Sequence, residues 1–278
     1  MRREFAALAL VLAWAPASAL AAPPMRVASV LLCTDEYVFR LLPRSRIAAL
    51  SYLAGDRHPV VSTIADEVKG IPLIPMSAEA LLSVKPDLVV LAQGTSSEVR
   101  SVLGAAKIPV VDVPWPNSLD DIRRITRGLS VHLGVPEAGG KLIAQMDADL
   151  AAARALAPSP AVKTLLYEPN GYTVSGGITD AILNAGGAVN IAPSLHPTRQ
   201  GTISVETLVA DAPELLIFNG QPGANSRAAQ VQEHPALAAL SARTHRAWLT
   251  LTPLLCPGPW SARAGLEFAK AAREARGL

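Results

Sequence analysis

Apolar residues along this chain gather into short runs closed by turn residues: "RIAALS" (46–51), "DLVVLAQ" (87–93), "IPVVDVP" (108–114), "VKTLLYEP" (162–169), "ELLIFNG" (214–220) and "RAWLTLTP" (246–253). Their apolar positions are consecutive rather than alternating, which marks strands covered on both faces and so a parallel sheet flanked by helices. Helix-like stretches lie between them, and the fold class is α/β. From Ser118 to Ala157 the pattern turns into a long helical stretch broken at Gly134-Val135-Pro136. Ser118 with Asp120 and Asp121 supplies an N-cap and first-turn acids. Pro136 suits the first turn of a second helix, which runs to about Leu156.

One phrase occurs on each side of this stretch, "SAEALLSVKPDLVVLAQG" (77–94) and "SVETLVADAPELLIFNG" (204–220). In each, a serine stands two residues before a glutamate (Glu79, Glu206), a proline follows seven residues later, and an acid, an apolar run and a glycine complete it. The repetition favours two similar Rossmann-like α/β lobes with parallel sheets joined by one long helix, the alternative being chance recurrence of a common helix-proline-acid-strand phrase. The expected divisions are a leader at 1–21, an N-terminal lobe at 22–134, a linking helix at 135–157 and a C-terminal lobe at 158–278.

The leader is read from Arg2-Arg3, an apolar run from Phe5 to Trp14, and Ala19-Leu20-Ala21 ahead of Ala22-Pro23-Pro24. This is a charged region, a short apolar core and a small-residue cleavage site, the pattern of a secretory signal peptide. Cys33 lies well past that site and behind a large leucine, which argues against lipidation. Without Met1–Ala21, the 25 basic and 23 acidic residues become 23 and 22. Near-neutral charge leaves no electrostatic footprint for nucleic acid. The two cysteines, Cys33 and Cys256, are too few for a disulfide-built scaffold.

The chain resembles the periplasmic substrate-binding proteins of ABC importers that deliver cobalamin, ferric siderophores and haem. The residues carrying the likeness are "SVLLCTDEYVFRLLPRSRIAALSY", both copies of the repeated phrase, "SGGITDAILNAGGAVNIAP" and "CPGPWSARAGLEFAKAAR". The resemblance implies a ligand held in a cleft between two lobes and an ABC permease in the inner membrane as partner. It also implies that Glu79 and Glu206, one on each lobe, dock onto that permease. Two separated carboxylates on one body suit a two-fold symmetric partner, and each also stabilises a helix N-terminus. The protein is expected in the periplasm, as a monomer with a small-molecule ligand and no resident cofactor or metal.

Ligands of parallel α/β lobes bind outside the carboxyl ends of the strands. The nominated first-lobe loops are 33–37, 52–58, 93–97 and 114–117; those of the second lobe are 168–175, 196–201, 220–227 and 253–260. In or beside them, Trp115 is either a cleft wall or a rigid turn residue between two prolines. Tyr52, Tyr167 and Tyr172 either meet ligand, by stacking or by ligating iron, or pack at an interface. Arg57 and Arg199 either pair with ligand carboxylates or lie solvated at the surface. Thr34, Asp35 and Trp260 complete the candidate set. His58 and His196 stand alone, without the spacing of a metal cluster. Cys33, after the first strand, and Cys256, in the late cleft loop "LLCPGPW", are expected to form a disulfide across the cleft mouth, the alternative being a thiol pair for a soft metal.

An enzyme is a weaker reading. "VSGG" (174–177) lacks the Gly-x-Ser-x-Gly elbow, and "NAGGAVN" (184–190) has the wrong spacing for a dinucleotide fingerprint. A periplasmic carrier or chaperone using the same fold is the other alternative.

Overall fold

The computed structural model describes residues 22–58, 61–196, 198–220, 230–240 and 243–278. The leader at 1–21 and most of the loop at 220–227 lie outside them. The first lobe runs β1 (Val27–Ser29), α1 (Leu32–Leu41), β2 (Ile47–Ser51), β3 (Leu73–Ile74), α2 (Ala78–Ser83), β4 (Leu88–Ala92), α3 (Ser97–Ala105), β5 (Val110–Val113) and α4 (Leu119–His132). Helix α5 (Pro136–Leu156) follows. The second lobe continues with β6 (Val162–Tyr167), β7 (Tyr172–Val174), α6 (Gly177–Ala185), β8 (Ala188–Asn190), α7 (Ala192–Leu195), β9 (Gln200–Thr202), α8 (Val205–Ala210) and β10 (Leu215–Asn219). It ends with α9 (Pro235–Ala239), β11 (His245–Leu249), α10 (Thr252–Leu255) and α11 (Arg263–Ala275).

Each lobe is built on a parallel sheet, of order β3-β2-β1-β4-β5 in the first and β11-β10-β6-β8 in the second. Strands β4 and β10 are buried from their first residue to their fourth, as consecutive apolar residues require when helices cover both faces. A short antiparallel ribbon of β7 and β9 is added beside the second sheet.

The repeated phrase has the same anatomy twice. Ser77 and Ser204 cap α2 and α8, accepting the backbone N–H of Ala80 and Thr207 at 3.1 and 3.2 Å. The acid after each proline then tethers the start of the neighbouring strand. Asp87 accepts from the N–H groups of Met25 and Arg26 at 2.7 and 2.9 Å, and Glu214 accepts from Lys163 N–H at 2.9 Å.

Between the lobes, Ser118 caps α4 through Asp121 N–H at 3.0 Å. Gly134 takes φ +68°, a left-handed turn that suits glycine, and Pro136 opens α5. Helix α5 buries Met146 and Leu150 in the second-lobe core, while Leu142 packs against the first. Before its last helix the chain touches the first lobe again. Cys256 is disulfide-bonded to Cys33 of α1, and Trp260 meets Tyr37 of α1 edge-on with ring centroids 4.9 Å apart. Helix α11 then returns to the second-lobe core through Phe268.

Candidate functional site

In an open parallel sheet the crevice lies where the strand order reverses, between strands whose crossovers leave in opposite directions. In the second sheet that point falls between β6 and β10. Their register, Tyr167 opposite Phe218, places Glu168 and Asn219 next to each other just past the last paired residues. Asn219 Nδ2 donates to Glu168 Oε2 at 3.3 Å, and Asn219 Oδ1 accepts from Leu251 N–H at 3.0 Å. Burial pushes the Glu168 carboxyl above the usual range, against the opposing hydrogen bond from Asn219.

These two residues line a cavity of about 470 Å3 that reaches across to Trp115, Pro116 and Asn117 after β5 of the first lobe. Leu166, Ile178, Leu251 and Leu254 give it apolar walls. Tyr172 and Arg199 of the ribbon line it as well. The Arg199 guanidinium lies against Gly176 and Gly177, where a Cβ would sit 3.0 Å from it, and its Nε donates to Ser175 O at 3.3 Å. A smaller hollow on the first-lobe side is lined by Thr34, Gln93 and Trp115, with Pro257 shared between the two. A cavity with apolar walls, one exposed indole and polar groups at Asn117, Glu168, Thr179, Gln200 and Asn219 is suited to a bulky organic ligand with a polar edge.

Of the residues nominated from sequence, Trp115, Tyr172 and Arg199 come together at this cavity. Residues 33–37 are not a loop but the first turns of α1. Asp35 is fully buried, its carboxylate accepting from the hydroxyls of Ser29 and Ser51 and from Ser51 N–H. Burial pushes it up to about 6, against those hydrogen bonds and with a small further push from Glu36. It therefore anchors α1 to the ends of β1 and β2 rather than facing the cleft. The Thr34 hydroxyl lies 2.7 Å from that of Ser29 and donates to Leu31 O at 2.8 Å.

Tyr167 is also fully buried; its hydroxyl donates to Ile203 O at 3.0 Å, and burial pushes the phenol up to about 12. As the last residue of a strand covered on both faces it belongs to the core. Trp260 packs between Tyr37 and Arg40, away from the main cavity, with its Nε1 donating to Cys256 O at 2.9 Å. Tyr52 is exposed beyond β2. Arg57 is exposed and paired with Asp66 at 3.1 Å. Cys33 and Cys256 hold each other, leaving no free thiol among the described residues for a metal. Glu79 and Glu206 are exposed in the first turns of α2 and α8. The Glu206 carboxyl is held below its ordinary range by its own backbone N–H and by Ser204.

Glu168 opens the nominated loop 168–175, but neither it nor Asn219 is among the candidate residues, although each is the first polar residue after the apolar run of its strand. That position at a strand's carboxyl end is the signal that finds them.

The fold recurs among solved structures. The haem-binding protein RhuT of Roseiflexus sp. RS-1 superposes with a TM-score of 0.71 at 24% identity, over 90% of this chain and 98% of that one. HutB of Vibrio cholerae, another periplasmic haem-binding protein, gives 0.72 at 18% identity over 88% and 98%. The vitamin B12-binding protein BtuF of the same organism gives 0.67 at 18% identity over 92% and 99%. At these identities the likeness concerns the fold. No curated protein sequence matches the chain. Residues 67–253, more than half of the chain, match the family model described as periplasmic binding protein, and on that match this chain belongs to the periplasmic binding protein family.

Proposed function

We propose that this protein is the solute-binding component of an ABC importer, capturing a metal chelate of the cobalamin, ferric siderophore or haem class between its lobes. The observation that carries this reading is the cavity between Trp115 and the Glu168–Asn219 end of the second sheet, apolar-walled and placed at a strand-order reversal. Neighbours of the same fold that bind haem or vitamin B12 supply the class of ligand. The chain is exported through residues 1–21, works as a monomer and has no catalytic role. Residues 22–134 and 158–278 act as two bodies on the helix 135–157, with Trp115, Tyr172 and Arg199 on the ligand. Glu79 and Glu206, alike in capping and exposure, are its contacts with the permease.

Purification from the native periplasm, followed by an absorption spectrum and metal analysis, tests the ligand class. A corrinoid, haem or ferric siderophore band with its metal is the expected result. A colourless, metal-free sample that still carries an organic ligand overturns the chelate reading.

A further inference from the structure

Among ligands of the class proposed above, on which this step rests, the floor of the cavity discriminates by the chemistry of the ligand's edge. We infer that Glu168 and Asn219 form a specificity-determining subsite that takes a ligand edge bearing carboxamide or hydroxyl donors and turns away an edge bearing a carboxylate. Glu168 is fixed by its main chain on both sides. Its N–H donates to Tyr172 O at 2.8 Å, and its carbonyl accepts from Gly171 N–H at 3.0 Å. Asn219 has one orientation because its Oδ1 is committed to Leu251 N–H. Its NH2 group therefore turns to Glu168 Oε2.

The second oxygen, Oε1, receives no hydrogen bond from any described residue, and Glu168 has no ion pair among them. A half-buried carboxylate with a free acceptor gains from a donor brought by the ligand. It loses when a like charge is brought to it among apolar walls. Arg199 does not reverse this selection. It lies exposed at the rim, where solvent screens its pull on a ligand carboxylate, whereas Glu168 is half-buried. The two ligand classes differ in their edges: a corrinoid ring is fringed with carboxamides, whereas haem presents two carboxylates.

The test is titration of the purified full chain with two probes, dicyanocobinamide and haemin, against wild type and Glu168→Gln. Wild type should bind dicyanocobinamide at least about tenfold more tightly than haemin, as expected for one hydrogen bond to a charged group gained or refused. Glu168→Gln keeps the shape and removes the charge, and should reduce that preference by about tenfold, chiefly by admitting haemin. Glu168→Asp keeps the charge, and should keep the direction of the preference even if Glu168→Gln fails to fold. Tighter binding of haemin by wild type, or an unchanged ratio in Glu168→Gln, overturns the subsite and leaves chelate capture standing. Binding of neither probe overturns the subsite and the corrinoid and haem readings together.

Discussion

Asp35 is a carboxyl group without solvent contact, and its ionisation should be visible in the stability of the whole protein. Its pKa rises from the ordinary 3.8 to about 6 because burial outweighs the hydrogen bonds from Ser29 and Ser51. With the folded value above the unfolded one, the folded state holds the extra proton between those two pH values. Stability therefore falls as pH rises through that window, and is level above it. At 1.36 kcal/mol for each pK unit, the fall amounts to about 3 kcal/mol. Asp35→Asn removes the titration while keeping the size of the side chain. Urea unfolding of both proteins at pH 4.5, 5.5, 6.5 and 7.5 gives a difference curve in which all other groups cancel. Wild type should lose about 2 kcal/mol of this relative to the variant across the series, equivalent to roughly 4–8 °C in Tm. A difference curve flat to within about 1 kcal/mol, or one with the opposite slope, would refute the assignment of a buried, destabilised carboxylate.

Replacing Cys33 and Cys256 together by serine opens a loop of 223 residues; from loop-closure entropy the loss is about 5 kcal/mol, read as a lower urea midpoint. Equal midpoints for the variant and the oxidised parent would contradict this. Gly186→Ala drives a Cβ to 2.8 Å from Gly265 O and from Phe268 Cβ, where α6 meets α11. The expected cost is roughly 1–3 kcal/mol, and a melting temperature unchanged from wild type would show that the helices separate freely. The double change Glu79→Ala and Glu206→Ala should abolish ligand uptake by cells while leaving the dissociation constant of the purified protein untouched; surviving uptake ends the docking assignment.

The six apolar runs all form strands; in β2, β4, β6 and β10 burial on both faces leaves an unmixed apolar signature that needs no partner to be recognised, while the edge strands β5 and β11 are only partly buried and are carried by their β-branched and aromatic residues. Ser118, Gly134 and Pro136 likewise marked the helix boundaries through local chemistry alone. Helix α1 is not legible in the sequence, for the opposite reason. The polar run Thr34-Asp35-Glu36 looks solvated in sequence, but its partners, Ser51 and Thr63, lie 16 and 27 residues away. Tyr167 illustrates a related limit: a tyrosine at a strand end has the same neighbours in sequence whether it turns to the cleft or to Ile203. The ribbon of β7 and β9, with three residues in each strand, is too short to leave a period. Glu168 and Asn219 carry no mark in sequence beyond being the polar residue that closes an apolar run. Their adjacency belongs to the strand register, which no local pattern contains.

The joint between Cys33 and Cys256 changes what kind of machine the two lobes can be. Helix α5 pins them at one place, and the bridge with its Tyr37–Trp260 contact pins them at a second. Two pins define an axle. The lobes keep the freedom to tilt about the line between them, and lose the freedom to draw apart or slide past one another. Under the proposed import role, a ligand would leave through a door that swings on fixed hinges, and a permease pulling on both lobes at once would do its work as torque.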